Sequence, residues 1–83
     1  MKQLPKYPRE WSKEDVFAVS DTVGYEPVQI FPPYGEDCSP VWASHAHLPG
    51  WASESGKPGL YLLVWYYVAC VKHEFRARLK DEE

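Results

Sequence analysis

The chain has 83 residues, about half the usual length of one domain, so we expect a single domain over residues 1–83 with one core. Nine lysines and arginines against twelve aspartates and glutamates give a formal charge of −3. This balance argues against a general nucleic-acid binder, because such a protein presents net positive charge to phosphates. A content of 45% hydrophobic and 25% charged residues is ordinary for a globular protein and excludes disordered and collagen-like chains.

Cysteine content and the first residues of the chain indicate a reducing compartment. Cys38 and Cys70 are the two cysteines, and residues 1–6 lack the apolar stretch of a secretory signal. Two cysteines without such a signal are more often free thiols than a disulfide. We therefore expect a cytoplasmic protein in which both thiols are reduced, with a single disulfide between them as the open alternative.

Proline divides the chain into two parts. All eight prolines lie before residue 59. Proline removes a backbone donor and biases the preceding residue away from helix, so the first 58 residues can hold only short elements between turns. The last 25 residues can hold a long element.

The start of one helix is well marked in the first part. Ser12 is a favourable N-cap, acidic residues follow it in the first turn, and Trp11 and Val16 stand where a hydrophobic staple would join them. The apolar stripe at helical spacing consists of Val16, Val19 and Val23. These signals predict a helix over about 13–22 that packs on the core and is ended by Gly24 as a left-handed cap.

Two short strands are predicted after this helix. Residues 28–31 are mostly apolar and β-prone, and two prolines close them. Residues 41–48 partly alternate between apolar and polar side chains, which is typical of a strand. Residues 49–59, rich in glycine, serine and proline, then form a polar connection.

Residues 60–71 have the largest influence on the predicted fold class. They are twelve residues without a charge, so they are apolar on every face and need cover on all sides. A membrane, the centre of a sheet or a partner protein could supply that cover. As a helix this segment is about 18 Å long, against about 30 Å for the hydrocarbon core of a bilayer, which weakens the membrane alternative.

The residues that follow favour a strand. From Val71 to Lys80 every even position is charged and four of the five odd positions are apolar. This period of two fits a strand with one solvent-exposed face. We therefore predict an α+β protein in which one N-terminal helix (about 13–22) packs on a small antiparallel sheet with a long C-terminal strand (about 59–79). Because a strand of about twenty residues is unusual, we expect a bend, bulge or break near Cys70 to Lys72. The alternative is a mainly α protein with a long C-terminal helix.

The aromatic content predicts a binding surface. A domain of this size has little chain to spare for covering four large aromatic side chains in one run, so we expect a second chain to complete part of that surface. Tryptophan and tyrosine dominate the energetics of protein interfaces. The residues that we expect to bind a partner are Trp42, Trp51, Tyr61, Trp65, Tyr66 and Tyr67. The simplest such partner is a second copy of this chain, in a homodimer formed through the long strand.

The sequence contains no motif that states a reaction or a cofactor. A glycine-rich phosphate loop, a dinucleotide fingerprint and a zinc knuckle are all absent from it. It therefore predicts a non-enzymatic protein-binding protein, an accessory, adaptor or inhibitor of the kind common among phage-encoded and bacterial regulators, that uses no metal and binds no nucleic acid. One alternative is a single-span membrane subunit of a larger complex, in which residues 59–76 form a short tilted helix. The other is a small metal-binding protein that uses His45 and His47, which share a face if their segment is extended.

Overall fold

The structure, a computed structural model, describes residues 4–53 and 55–81, with the last two of these described by their backbone alone. Within them, one α-helix precedes an antiparallel sheet of four strands in chain order. The elements are α1 (Lys13–Ser20), β1 (Val28–Phe31), β2 (Val41–Leu48), β3 (Gly59–Val68) and β4 (Val71–Asp81). Each strand pairs with the next one along the chain, so β1 and β4 form the two edges. The predicted α+β class is confirmed, and the alternative with a long C-terminal helix is wrong.

Helix α1 begins at the predicted residue but ends earlier than predicted. The Ser12 hydroxyl accepts a hydrogen bond from the Asp15 backbone N–H at 3.2 Å, and the Asp15 carboxylate accepts one from the Ser12 N–H at 3.0 Å, which completes a capping box. The hydroxyl of Thr22 donates to the Val19 carbonyl at 2.8 Å and so occupies an acceptor at the end of the helix. The predicted left-handed cap at Gly24 is wrong, because the helix ends at Ser20 with Asp21 as its C-cap and the φ angle of Gly24 is not positive. The Gly24 carbonyl instead accepts the His45 N–H of β2 at 2.7 Å.

The predicted C-terminal strand contains the expected break. Ala69 and Cys70 have φ angles of 47° and 68° and form a two-residue turn, so the chain reverses and β3 pairs with β4 along their length. Residues 59–79 are therefore two neighbouring strands rather than one bent strand. Pairing them satisfies the backbone hydrogen bonds of the apolar β3 by placing it between β2 and β4.

The core lies between α1 and one face of the sheet. Val41 and Ala43 of β2 and Leu62 and Val64 of β3 are all 0% exposed, and Val19 of α1 is buried with them. Because side chains alternate between the two faces of a strand, the residues between these positions point away from α1. The apolar β3 is thus covered by α1 on one face and by strands at both of its sides.

The membrane alternative required a helix over residues 59–76, where the structure has strands. In the ranges 4–53 and 55–81 no helix combines the length and the apolar character needed to span a bilayer.

Candidate functional site

Large apolar side chains cover part of the sheet face that points away from α1. We call this surface the open face and define it by Trp42 of β2 and by Leu63, Trp65 and Tyr67 of β3. Trp42 lies directly opposite Trp65 in the strand register. Tyr67 is 40% exposed, the other three are partly exposed, and none of the four belongs to the buried cluster that the described residues form under α1. The open face is therefore a second apolar surface, separate from the core.

Charged residues of β4 border the open face. Lys72, Glu74 and Arg76 lie opposite Tyr67, Trp65 and Leu63 in the register of β3 and β4. The Lys72 ammonium lies 5.8 Å from the centroid of the Trp65 ring and 3.1 Å from the Glu74 carboxylate. Partial burial raises the pKa of Glu74, but hydrogen bonds from Arg76 and Lys72 outweigh it and hold the pKa below the ordinary glutamate value. The border therefore carries two cations around one ionised carboxylate.

The connection between β2 and β3 is held on the same side of the sheet, at the other end of β4. Arg76 donates a hydrogen bond to the Ala52 carbonyl, and Arg78 donates one to the Pro58 carbonyl at 3.3 Å. The Tyr61 hydroxyl donates to the Lys57 carbonyl at 2.6 Å. Tyr61, one of the predicted binding residues, is 4% exposed and therefore anchors this connection instead of presenting its ring to solvent.

Trp51 is the most exposed large apolar residue of the described part of the chain. Its side chain is 89% exposed, in the short 3-10 helix Gly50–Ala52. The next residue, Ala52, is the one whose carbonyl Arg76 holds at the border of the open face. Trp51 is therefore part of the connection that Arg76 holds at the border of the open face.

Tyr66, also predicted to bind a partner, lies on the opposite face of the sheet. Its ring is T-shaped to Tyr34 with centroids 5.0 Å apart and is stacked on His73 at 5.3 Å. Tyr7 joins the cluster through Tyr34, with centroids 4.9 Å apart. Three of the six predicted residues, Trp42, Trp65 and Tyr67, thus share the open face, Trp51 lies in the connection that Arg76 holds at its border, and Tyr61 and Tyr66 are used in the fold.

The Tyr34 phenol in this cluster predicts a late step in the titration of the protein. Burial, followed by the neighbouring Tyr66 and Tyr7, raises the pKa of Tyr34 to about 12. The hydroxyl donates to the Lys6 carbonyl, a bond that only the neutral phenol can make. Because the folded pKa is raised, the contribution of this group to stability is complete below about pH 10 and is lost as pH rises toward 12. An ultraviolet titration of tyrosinate should show the late step in the wild type and not in Tyr34→Phe.

The control for this titration is Tyr25→Phe, because Tyr25 is 64% exposed and lies outside the cluster. That variant should keep the late step. If Tyr34→Phe also keeps it, the assignment of the late step to Tyr34 is wrong.

The two histidines of the metal alternative have protein partners. His45 Nε2 lies 2.9 Å from the Ser20 hydroxyl and 3.0 Å from the Ser20 carbonyl. A carbonyl only accepts, so this nitrogen carries the proton when it makes that contact, and the pair ties the end of α1 to β2. His47 Nε2 lies 3.0 Å from the Tyr25 hydroxyl. Among residues 4–53 and 55–81, no group of three or more histidine, cysteine or acidic side chains is placed to hold a metal ion.

Comparison of the chain with protein-family models, with curated proteins and with solved structures found no match. The function is therefore inferred from the geometry of the open face.

Leu63 and Lys72 were not predicted to belong to a binding site. A signal for both was present, because even positions from 72 to 80 share one face and residues 63, 65 and 67 share one face of the preceding strand. The sequence did not predict the chain reversal at Ala69 and Cys70, which places the two rows of side chains next to each other.

Proposed function

We propose that this protein is a small, non-enzymatic binding module whose open face docks a partner protein. The observation that carries the proposal is the pair Trp42 and Trp65, opposite each other on the sheet face that α1 does not cover. Antiparallel sheets commonly bury one face and present polar residues on the other. An apolar surface in that place is the usual mark of an interaction site. The proposed compartment is the cytoplasm, where the free thiols of Cys38 and Cys70 stay reduced.

The arrangement of charge indicates the chemistry of the partner. Protein interfaces combine an apolar centre, rich in tryptophan and tyrosine, with a polar rim. Here the centre is formed by Trp65 and its neighbours, and the rim by Lys72, Glu74 and Arg76. We expect the partner to place an apolar or aromatic side chain against Trp65 and a carboxylate near Lys72, whose side chain is 48% exposed.

The same residues favour a protein over a nucleic acid. Stacking rings beside arginines are also found where single-stranded nucleic acids bind. However, Arg76 and Arg78 donate to the carbonyls of Ala52 and Pro58, so both guanidinium groups already have a role in the fold. The chain as a whole carries a formal charge of −3, which disfavours phosphate binding.

The proposal is tested by an affinity experiment with matched aromatic variants. Proteins retained from the source cell by the wild-type chain are compared with those retained by Trp65→Ala and by Tyr25→Ala. Each retained protein is then purified, and its affinity for all three chains is measured by calorimetry. Because Trp65 is at the centre of the open face, we expect the affinity for Trp65→Ala to fall by about tenfold or more, and the affinity for Tyr25→Ala to stay unchanged.

Two results would contradict the proposed function. The first is a set of purified partners that bind all three chains equally well. The second is the absence of any such partner together with Trp65-dependent binding of a single-stranded oligothymidylate, which would make the open face a nucleic-acid surface.

A further inference from the structure

The polar side-chain atoms of the open face are hydrogen-bond donors that have no partner among the described residues. Within residues 4–53 and 55–81, the indole N–H groups of Trp42 and Trp65 and the hydroxyl of Tyr67 form no hydrogen bond. In the same ranges neither indole nitrogen is buried and unsatisfied, so both keep contact with solvent. An indole nitrogen only donates, whereas a phenol hydroxyl donates or accepts. A partner that covers this surface must therefore bring acceptors.

The surroundings of these donors offer little to a segment that carries donors of its own. The Glu74 carboxylate, opposite Trp65 in the strand register, already accepts hydrogen bonds from Arg76 and Lys72. Gln29, opposite Trp42 in the edge strand β1, has an amide that donates as well as accepts. A donor that a partner buries without an acceptor loses its hydrogen bond to water and gains no other. The open face therefore suits a segment with free acceptors and few donors.

The backbone conformation of a segment decides how many free acceptors it carries. A strand shares its backbone groups with a neighbouring strand, and β2 and β3, which hold the aromatic residues, are already paired on both sides. A helix uses its carbonyls in its own hydrogen bonds and could accept only through side chains, at positions where apolar ones are needed. A polyproline II segment has no internal hydrogen bonds, and its prolines have carbonyls but no N–H. Aromatic-lined surfaces recognise proline-rich ligands in this conformation.

The chain itself contains an indole that is paired with a proline carbonyl. Trp11 is 8% exposed, and its indole N–H donates to the Pro5 carbonyl at 2.9 Å. Pro8 follows Pro5 in the same segment and is buried. A tryptophan that other residues cover is thus satisfied here by the kind of acceptor that a proline-rich segment would bring to Trp42 and Trp65.

The position of Lys72 adds a charge to this description of the partner. Lys72 lies one strand beyond Trp65 and two residues along, opposite Tyr67. Two strand spacings and a two-residue step place its Cα about 12 Å from that of Trp42. A polyproline II segment rises about 3.1 Å per residue, so about four residues span this distance. A carboxylate about four residues from the proline at Trp42 would therefore lie near the Lys72 side chain, which is 48% exposed.

We propose, on the basis of the proposed function, that the partner segment on the open face is a proline-rich segment in the polyproline II conformation. It carries an acidic residue about four positions from the proline that packs against Trp42. Its proline rings pack against Trp42 and Trp65, its carbonyls accept hydrogen bonds from their indole N–H groups, and its carboxylate lies near Lys72.

The experiment uses the full chain labelled with nitrogen-15 and a synthetic peptide of six prolines with an aspartate at each end. Either direction of this peptide can place a carboxylate near Lys72. The indole N–H resonances of Trp42 and Trp65 should shift during titration, because both groups gain an acceptor. The resonance of Trp11 should stay in place, since its N–H already donates to Pro5. A peptide with alanine in place of every proline should bind at least about tenfold more weakly.

Two variants separate the effect of the hydrogen bond from that of the ring. Trp65→Phe keeps an aromatic ring on the open face but removes its indole N–H, so we expect the affinity for the proline peptide to fall by about threefold to tenfold. Tyr25→Phe also removes one donor and keeps a ring, but Tyr25 lies outside the open face and the affinity should stay unchanged. Because Trp11 belongs to the core, its resonance shows in both variants whether the core is intact.

Any of three results overturns this proposal. They are resonances of Trp42 and Trp65 that stay in place up to about millimolar peptide, equal binding of the alanine peptide, and an unchanged affinity of Trp65→Phe. A purified partner that needs Trp65 but contacts it with a helix or strand lacking proline also overturns the proposal, and it leaves the proposed function standing. Partners that bind Trp65→Ala as tightly as the wild type contradict the proposed function itself.

Discussion

Leu62→Ala should lower the free energy of unfolding by about 2–5 kcal/mol. Leu62 is 0% exposed at the centre of β3, where it is packed with Val41 and Val64 beneath α1. Removing its side chain loses the transfer energy of three carbon atoms and leaves a cavity that the surrounding strands can fill only in part. For a chain of this length the whole stability is on the order of 4–12 kcal/mol, so this one change removes a large share of it. Urea unfolding followed by circular dichroism measures the difference.

The neighbouring residue provides a matched control. Leu63→Ala removes the same atoms from the same strand, but Leu63 belongs to the open face and is partly exposed. We expect it to cost about 1 kcal/mol or less. A loss as large as that of Leu62→Ala would mean that the open face is covered in the free protein, and the proposed function would then lose its main support. Leu63→Ala should also weaken binding of a partner that Trp65→Ala weakens.

Replacing Ala69–Cys70 by Asn–Gly should raise the free energy of unfolding by about 1–2 kcal/mol. Both residues have positive φ angles, 47° and 68°, which cost an ordinary L-residue roughly 1–2 kcal/mol each. Asn–Gly is the pair most favoured in a two-residue turn of this kind, because both residues tolerate the left-handed region. Part of the gain is offset, since glycine loses more entropy on folding than cysteine does. The measurement is again the urea midpoint, with a constant slope as the check on two-state behaviour.

Ala18→Gly is the control for this substitution. Ala18 lies inside α1, where glycine costs about 1 kcal/mol relative to alanine. The two changes therefore should move the urea midpoint in opposite directions. A turn variant that lowers stability would show that Ala69 and Cys70 are not held in the left-handed region.

Local chemistry was sufficient to predict the helix start and the existence of most strands. The capping box at Ser12 and Asp15 depends on side chains three residues apart, so its signal is present in the local sequence. The end of α1 was predicted too late, and its last residue, Ser20, contacts the His45 ring of β2 through both its hydroxyl and its carbonyl, although the two residues lie far apart in the chain. That contact is a property of the folded sheet and leaves no local signal.

The residues of the candidate site were likewise predicted only in part from the sequence. Aromatic composition indicated a binding surface and named Trp42, Trp51, Trp65 and Tyr67, which the structure places on or beside one face. It also named Tyr61 and Tyr66, whose roles depend on partners at other points of the chain, the Lys57 carbonyl for Tyr61 and the Tyr34 ring for Tyr66. A tyrosine that closes a loop and a tyrosine that contacts a partner look alike in a sequence.

The sequence by itself determined the α+β class, the helix start and the strand character of residues 59–79, because capping and alternation act between residues a few positions apart. Only the tertiary structure decided that residues 59–79 reverse at Ala69 and Cys70 and that one face of the sheet stays uncovered. A two-residue turn without glycine is favoured only by the pairing it makes possible, and which face of an apolar strand receives the helix depends on contacts between residues far apart in the chain.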